Sequence, residues 1–359
     1  IPMLLFGEEL MEAEAEEGFA ASTLPSLHVS LGIAILVLSF IRLGWRFANP
    51  PPPLPAGMAK WEVALARITH GLFYFLMIGL PISGWLILGE FVREEHVGAV
   101  SFFGFLTVPP GPPGGDLALW TTRLRQRYYP CPAPGGFYSG ATVADPKVGT
   151  PRDSYYAWTW GDCLFMVLDP FWYTTVKPPS GVTDANWGWT LGEAQYRWMV
   201  DTLQRSTARH KLVFIHHLVG GGSEARGGVE VAGGFEWGGR NADGSPGFDA
   251  RRKGWGRPIH QVLVDTGVEA VFHGHDHVYV HQKLDGIVYQ LLPQPSNTQL
   301  DNSRLAAEYG YREGTVVPGS GYLRATVSPT SVAVDFVRCR PGVTGPGETA
   351  HHFDLLPRR

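Results

Sequence analysis

Two clusters of histidine stand directly behind apolar runs in this sequence. Lys211-Leu212-Val213-Phe214-Ile215 leads into His216-His217, and Val268-Glu269-Ala270-Val271-Phe272 leads into His273-Gly274-His275-Asp276-His277. Eight of the thirteen histidines fall between His210 and His281. Neutral imidazole is a good ligand for Zn, Fe, Mn and related ions. One intervening residue lets His275 and His277 point to the same side, and Gly274 lets the backbone turn tightly before them. Ligands of open α/β sheets bind beyond the carboxyl ends of the strands, where both clusters stand if the apolar runs are strands. Metal-assisted chemistry is the first expectation; the alternative is a chance gathering of solvated and core histidines.

The neighbouring sequence supplies the elements that would carry these clusters. Residues 155–169 read as a two-stranded hairpin, with aromatic alternation in Tyr156-Ala157-Trp158-Thr159-Trp160, a turn at Gly161-Asp162 and an apolar run over 163–168. Thr190 is expected to cap a helix over 191–205, because Glu193 stands three residues on and Tyr196, Met199, Val200 and Leu203 recur at helical spacing. Residues 211–215 and 268–272 are buried strands joined through a helix at 258–266, a strand–helix–strand unit. Segments 322–327 and 331–337 read as antiparallel strands near an edge. The glycine-rich loop 220–256, with Arg226, Glu230, Glu236 and Arg240, is expected to pass over the same end of the sheet. Arg226 or Arg240 could meet a phosphate there through paired hydrogen bonds, the alternative being a solvated loop.

Composition changes near residue 110. Before it lie two apolar stretches, 27–46 and 64–88, each long enough to cross a hydrocarbon core of roughly 30 Å. An acidic run, Glu8 to Glu17, precedes the first where a signal peptide would have a basic flank; two buried core helices are the other alternative. Arg42, Arg46, Lys60 and Arg67 oppose only Glu62 in the connecting segment, which places that segment on the cytoplasmic side and everything after residue 88 on the periplasmic side of the inner membrane. The proline run 50–53 makes a stiff connector. The chain has 29 Lys plus Arg against 33 Asp plus Glu, a net charge of −4, and so lacks the basic surplus that nucleic-acid binding requires. Cys131, Cys163 and Cys339 have no C-x-x-C spacing, so neither a thiolate metal site nor a disulfide framework is indicated, a Cys131–Cys339 bridge being the one conceivable pairing. A first residue Ile1 rather than Met leads to the expectation that the reading frame is a fragment or begins upstream.

The order Leu191-Gly192-Glu193-Ala194-Gln195-Tyr196-Arg197-Trp198-Met199, then Val213-Phe214-Ile215-His216-His217, then Val271-Phe272-His273-Gly274-His275-Asp276-His277 resembles the second half of calcineurin-like metallophosphoesterases, which include purple acid phosphatases. The resemblance covers about residues 123–300. It implies that His216 and His275 bind one divalent metal and His277 a second, with His217 beside them as catalytic residue or as a strand-end histidine bonded to backbone. It implies a phosphoester small molecule as substrate. Chemistry of this kind uses two cations roughly 3.5–4 Å apart sharing a hydroxide, held by carboxylates from D-x-H, G-D-x-x-D and G-N-H-[DE] motifs in the first half of the fold. None of these motifs occurs here. Three imidazoles could still hold one Zn with an open position.

In the apolar region, Leu27-His28-Val29-Ser30-Leu31-Gly32, Ala66-Arg67-Ile68-Thr69-His70-Gly71-Leu72-Phe73-Tyr74 and Leu80-Pro81-Ile82-Ser83-Gly84-Trp85 resemble the middle of bacterial cytochrome b561. That resemblance covers about residues 6–112 and implies haem b ligation by His28 and His70. The expected architecture is an all-α transmembrane helical hairpin over 1–112, followed over 116–359 by an α/β metallophosphoesterase-like domain, an incomplete β-sandwich flanked by helices. Three readings follow: a membrane-tethered, metal-dependent phosphoester hydrolase; a haem b electron-transfer membrane protein; or an inactive chimera of two truncated parts joined at 109–116.

Overall fold

The structure, a computed structural model, describes residues 23–50, 57–93, 101–102, 106–107, 117–129, 131–174, 177–295, 301–339 and 347–358. The acidic run, most of the proline connector and the 109–116 junction lie outside them. The chain divides into two compact units, Ile1–Leu117 and Ala118–Arg359.

The first unit is built on helices α1 (Thr23–Ala48) and α2 (Lys60–Arg93), which pack on one another, with the short strands β1 (Ser101–Phe102) and β2 (Leu106–Thr107) after them. Within them, Leu27–Ala48 and Lys60–Leu86 are long and apolar enough to span a bilayer. Leu38, Ile41, Ile68, Phe75 and Leu80 are exposed; in water such a surface would be a liability, whereas in lipid it is the stable arrangement. Polar side chains bond to their own helix: Ser39 Oγ donates to the Ile35 carbonyl at 2.6 Å and Thr69 Oγ1 to that of Leu65 at 2.8 Å.

The second unit opens with helix α3 (Leu117–Tyr128). It continues through β3 (Tyr138–Gly140), β4 (Tyr156–Trp160), β5 (Cys163–Leu168), α4 (Glu193–Arg205), β6 (His210–Ile215), α5 (Ile259–Asp265), β7 (Ala270–His273), β8 (Tyr279–Leu284), β9 (Ile287–Leu291), α6 (Arg304–Glu308), β10 (Thr315–Val317), β11 (Gly321–Val327), β12 (Val332–Arg338) and β13 (Thr349–Leu355). Eight strands form one mixed sheet in the order β10-β8-β9-β7-β6-β5-β4-β3. Its centre, β5, β6, β7 and β9, is parallel, with α4 in the connection from β5 to β6, α5 in that from β6 to β7, and strand β8 in that from β7 to β9. On one face α4 sets Tyr196, Met199 and Leu203, and α5 sets Ile259, Val262 and Leu263, against Met166, Val213 and Val271. Each fully buried side chain of this size contributes about 1.5–3 kcal/mol.

The other face is covered by a separate antiparallel sheet, β11-β12-β13, whose Val332, Val334, Phe353 and Leu355 pack on Leu212, Ala270, Phe272 and Val288. The segments expected near an edge are thus two of the three strands of a second layer. Their alternation of buried Val332, Val334 and Phe336 with less buried neighbours is what one covered face demands. The expected cap at Thr190 is also revised. Helix α4 starts after Gly192, whose φ of 74° and lack of Cβ are both required, since a Cβ there would meet the Tyr173 ring at 2.3 Å. Thr190 Oγ1 instead accepts the Gly192 amide at 2.9 Å.

Candidate functional site

Strands β6 and β7 run parallel with Val213 beside Val271 and Phe214 beside Phe272, so both histidine clusters leave the sheet at its carboxyl end. The Gly274 amide donates to the His216 carbonyl at 2.9 Å, prolonging the ladder by one step. There the rings meet, with His216 Nε2 3.2 Å from His275 Nδ1. His275 Nε2 lies 2.9 Å from the Glu224 carbonyl, which can only accept, so the proton sits on Nε2 and the Nδ1 lone pair faces His216. Two nitrogens on a tetrahedral ion with bonds of roughly 2.0–2.1 Å stand about 3.3–3.4 Å apart. The pair therefore has the spacing of one edge of a coordination shell, and also that of an ordinary hydrogen bond between two imidazoles. A ring nitrogen that donates to a backbone carbonyl is the usual brace behind a metal-binding histidine.

The backbone at this point is strained, with φ of 83° at His275, 56° at His277, 55° at Glu224 and 64° at Ala225. L residues hold such angles only where the surroundings fix them. Asp276, between the two histidines, is buried, and its Oδ2 accepts from Tyr311 Oη at 2.7 Å and from the Gly227 amide at 2.9 Å. Burial and the facing Asp276 carboxylate push the Tyr311 phenol well above its ordinary value, so it stays a donor. Asn302 Nδ2 donates to the His277 carbonyl at 2.7 Å, and its Oδ1 accepts the Gly319 amide at 3.0 Å. Asp276, Tyr311, Asn302 and the Glu224 carbonyl were not singled out from the sequence. Only Asp276, inside the histidine motif, carried a local signal.

Among the described residues no hydrogen bond or ring contact joins the His277 imidazole to His216 or His275, although it is near enough to disfavour protonation of both. His217 is buried with its ring 5.5 Å from that of His275, 4.8 Å from that of Trp189 and 5.3 Å from that of Phe171. Burial first, then neighbouring imidazoles, pull its pKa down to about 3, and the same causes bring buried His273 to about 3. Both rings are neutral, and Nε2 of each has no hydrogen-bond partner among the described residues. His216, partly exposed at the rim of the site, is brought down to about 4, by burial first and then by His275 and His277.

A cavity of about 690 Å³ opens beside His216, over the ends of β5, β6 and β7, with Arg125, Arg152, Asp169, Phe171, Phe214 and Phe272 among its walls. Asp169 follows β5 as the histidines follow β6 and β7, a strand-end signal that the sequence did carry. Loop 220–256 does reach this end of the sheet, through Glu224 and Gly227. Arg226 Nη1 lies 3.5 Å from Asp276 Oδ1 with its guanidinium over the Tyr309 ring, while Arg240 Nη1 donates to the Gly244 carbonyl within its own turn.

Among the described residues no group of three or more His, Cys, Asp or Glu side chains is placed to hold a metal ion. The His216–His275 edge fits part of one cation's shell; a bridged pair of cations does not fit, because Asp276, the nearest carboxylate in sequence, is spent on Tyr311 and Gly227. Cys131, Cys163 and Cys339 are all free thiols. In the other unit His28 and His70 are exposed on α1 and α2, and His70 Nδ1 lies 2.7 Å from the Ala66 carbonyl one turn back, which leaves Nε2 pointing away from its own backbone.

Residues 1–123 match the family model of prokaryotic cytochrome b561. The chain is 37% identical over 86 residues to cytochrome b561 homolog 2 of Escherichia coli (strain K12), covering 24% of this chain and 43% of that protein. It is 42% identical over 62 residues to the probable superoxide oxidase CybB of Yersinia pestis, covering 17% and 35%. The chain thus spans less than half the length of these curated relatives. Among solved structures it is similar to that of PhoD, with a TM-score of 0.44 at 14% identity over 69% of this chain and 50% of that one. It is also similar to a purple acid phosphatase from yellow lupin seeds, with a TM-score of 0.32 at 12% identity over 63% and 39%.

Proposed function

We propose that the C-terminal unit is a metal-dependent phosphoester hydrolase by descent, and that it holds a single divalent cation, Zn, Fe or Mn, on His216 and His275. The observation that carries this reading is the 3.2 Å approach of two imidazole nitrogens at adjacent strand ends, one of them braced by the Glu224 carbonyl. A cation there would polarise a phosphoryl oxygen and lower the pKa of a bound water. The chain's own contribution is placement. Glu224 sets the tautomer of His275, and Asp276 and Asn302 hold the strained loop. His217, held neutral, is too weak a base to take a proton at neutral pH and serves as a wall and orienting group beside the pair.

The test is metal content and phosphatase activity of the full chain in detergent, compared with His216→Ala and His275→Ala. One equivalent of zinc is expected in the parent, with affinity reduced at least tenfold in either variant. Unchanged stoichiometry in both would remove the assignment.

A second reading applies to the hairpin. The family match over residues 1–123, together with an exposed His70 whose Nδ1 is tied to Ala66, supports an axial haem b ligand at His70 Nε2, with His28 as the other candidate. The two apolar helices support a membrane location, with lipid as their partner, and the basic residues Arg42, Arg46, Lys60 and Arg67 between them favour a periplasmic C-terminal unit. The part-length relatives support a chimeric origin of the chain. A Soret band in the purified protein that is lost in His70→Ala is expected; its absence after haem reconstitution would refute haem binding.

A further inference from the structure

We propose that Arg152, assisted by Arg125, makes the cavity beside His216 a binding site for an organic phosphate whose apolar body lies on the aromatic wall. This deepens the hydrolase reading and rests on it for the choice of phosphate among anions.

Arg152 borders the cavity and is only 4% exposed. Its Nη2 donates to Ser154 Oγ at 3.2 Å, and its guanidinium stacks on Trp172 with 3.6 Å to the ring centroid. Its Nε and Nη1 have no hydrogen-bond partner among the described residues. A buried cation with two unmet donors is costly unless an acceptor completes it.

The carboxylates around it are already committed. Asp169 Oδ1 accepts the Phe171 and Trp172 amides at 2.9 and 3.4 Å, and its Oδ2 stays 3.6 Å from Arg152, beyond hydrogen-bond reach. Asp145 accepts the Lys147 and Val148 amides and Trp172 Nε1. Asp153 pairs with Arg125 at 2.5 Å, and Arg125 also reaches Cys131 Sγ at 2.9 Å.

An acceptor-rich anion entering the cavity meets two guanidiniums, Arg125 hydrogen-bonded to its carboxylate and Arg152 held 3.6 Å from Asp169 with two donors still without a hydrogen-bond partner among the described residues. A planar guanidinium suits the paired oxygens of phosphate. Phe171, Phe214 and Phe272 form an apolar wall in the same cavity, so the ligand that fits is a phosphate carrying a hydrophobic group rather than inorganic phosphate. The stack on Trp172 keeps the Arg152 side chain in place before any ligand arrives, which lowers the ordering cost of binding.

The experiment is calorimetric titration of the full chain in detergent with phenyl phosphate, in EDTA, alongside benzoate and inorganic phosphate. Phenyl phosphate is expected to bind saturably and more tightly than either control. Arg152→Gln should weaken it by about 10–100-fold, and Arg125→Gln by no more than a few-fold because that charge is already paired. Without ligand, Arg152→Gln should melt below the parent temperature, since it leaves buried Asp169 without its counter-charge, so the ligand-dependent shift is read against each protein's own baseline. Phenyl phosphate should raise the melting temperature of the parent and not that of the variant. If Arg152→Gln fails to fold, Arg152→Lys, which keeps the charge but loses the fork, should show the same loss of affinity. Absence of binding to the parent, equal binding to the Arg152 variants, or benzoate or inorganic phosphate binding as tightly as phenyl phosphate would each overturn the proposal. Binding in EDTA that survives His216→Ala and His275→Ala separates this site from the metal reading, whose failure would leave it standing.

Discussion

Lowering the pH from 7 to 4 should unfold the C-terminal unit, and His217 and His273 should account for much of the effect. In an unfolded chain both imidazoles take protons near 6.5; in the folded unit burial holds both at about 3. Between those values the unfolded state binds more protons than the folded one, so stability is fully present above about pH 6.5 and is lost as pH falls toward 3. A difference of about 3.5 pH units corresponds to about 5 kcal/mol per histidine at its limit. Two such groups reach the order of the whole net stability of a domain, about 5–15 kcal/mol. Near pH 5 each should contribute about 1.4 kcal/mol per pH unit to the slope of unfolding free energy against pH. The assay is urea unfolding followed by tryptophan fluorescence from pH 4.5 to 8. His273→Leu removes one titrating ring and its unpartnered Nε2, so the slope near pH 5 should fall by about 1.4 kcal/mol per pH unit, with little change above pH 7. A slope equal to that of the parent would show that His273 is not held neutral, and the account of the buried imidazoles would fail.

Three further outcomes are expected. His210→Ala should cost about 3–5 kcal/mol in the same unfolding assay, because it strands Glu269, buried and bonded to His210 Nδ1 at 2.9 and 3.0 Å, and leaves the Ser328 carbonyl without its 3.0 Å partner. Arg252→Ala should cost a similar amount, since buried Glu236, bonded to Arg252 at 2.5 Å, would keep only neutral partners, the Leu191 amide and the Thr190 hydroxyl; limited proteolysis should then cut loop 220–256 first. Asp276→Ala should cost about 1–3 kcal/mol by orphaning Tyr311 and Gly227 and should weaken zinc binding at His275 about tenfold; unchanged zinc affinity would show that the loop holds its geometry without this carboxylate.

Local sequence carried the parts of this protein that depend on local periodicity. Alternation and unbroken apolar runs placed β4 to β7 within a residue or two, and the apolar length of α1 and α2 announced the hairpin. Histidines immediately after a strand are bound to leave at its carboxyl end, so their gathering near β6 and β7 followed from the chain alone. What needed the tertiary structure was every choice made by distant partners. Glu224, 51 residues from His275, decides which ring nitrogen carries the proton, and Tyr311, 35 residues from Asp276, decides that this acidic side chain turns inward instead of serving as a ligand. The role of Gly192 was hidden because the Tyr173 ring that excludes a Cβ there comes from an irregular segment with no periodic signal. Arg152 stands in no motif or periodic pattern of the sequence, and only its burial against Trp172 beside a cavity sets it apart. Side-chain periodicity selects a face for each element, but the orientation of a ring or a guanidinium on that face is set by long-range hydrogen bonds and packing, which no short stretch of sequence contains.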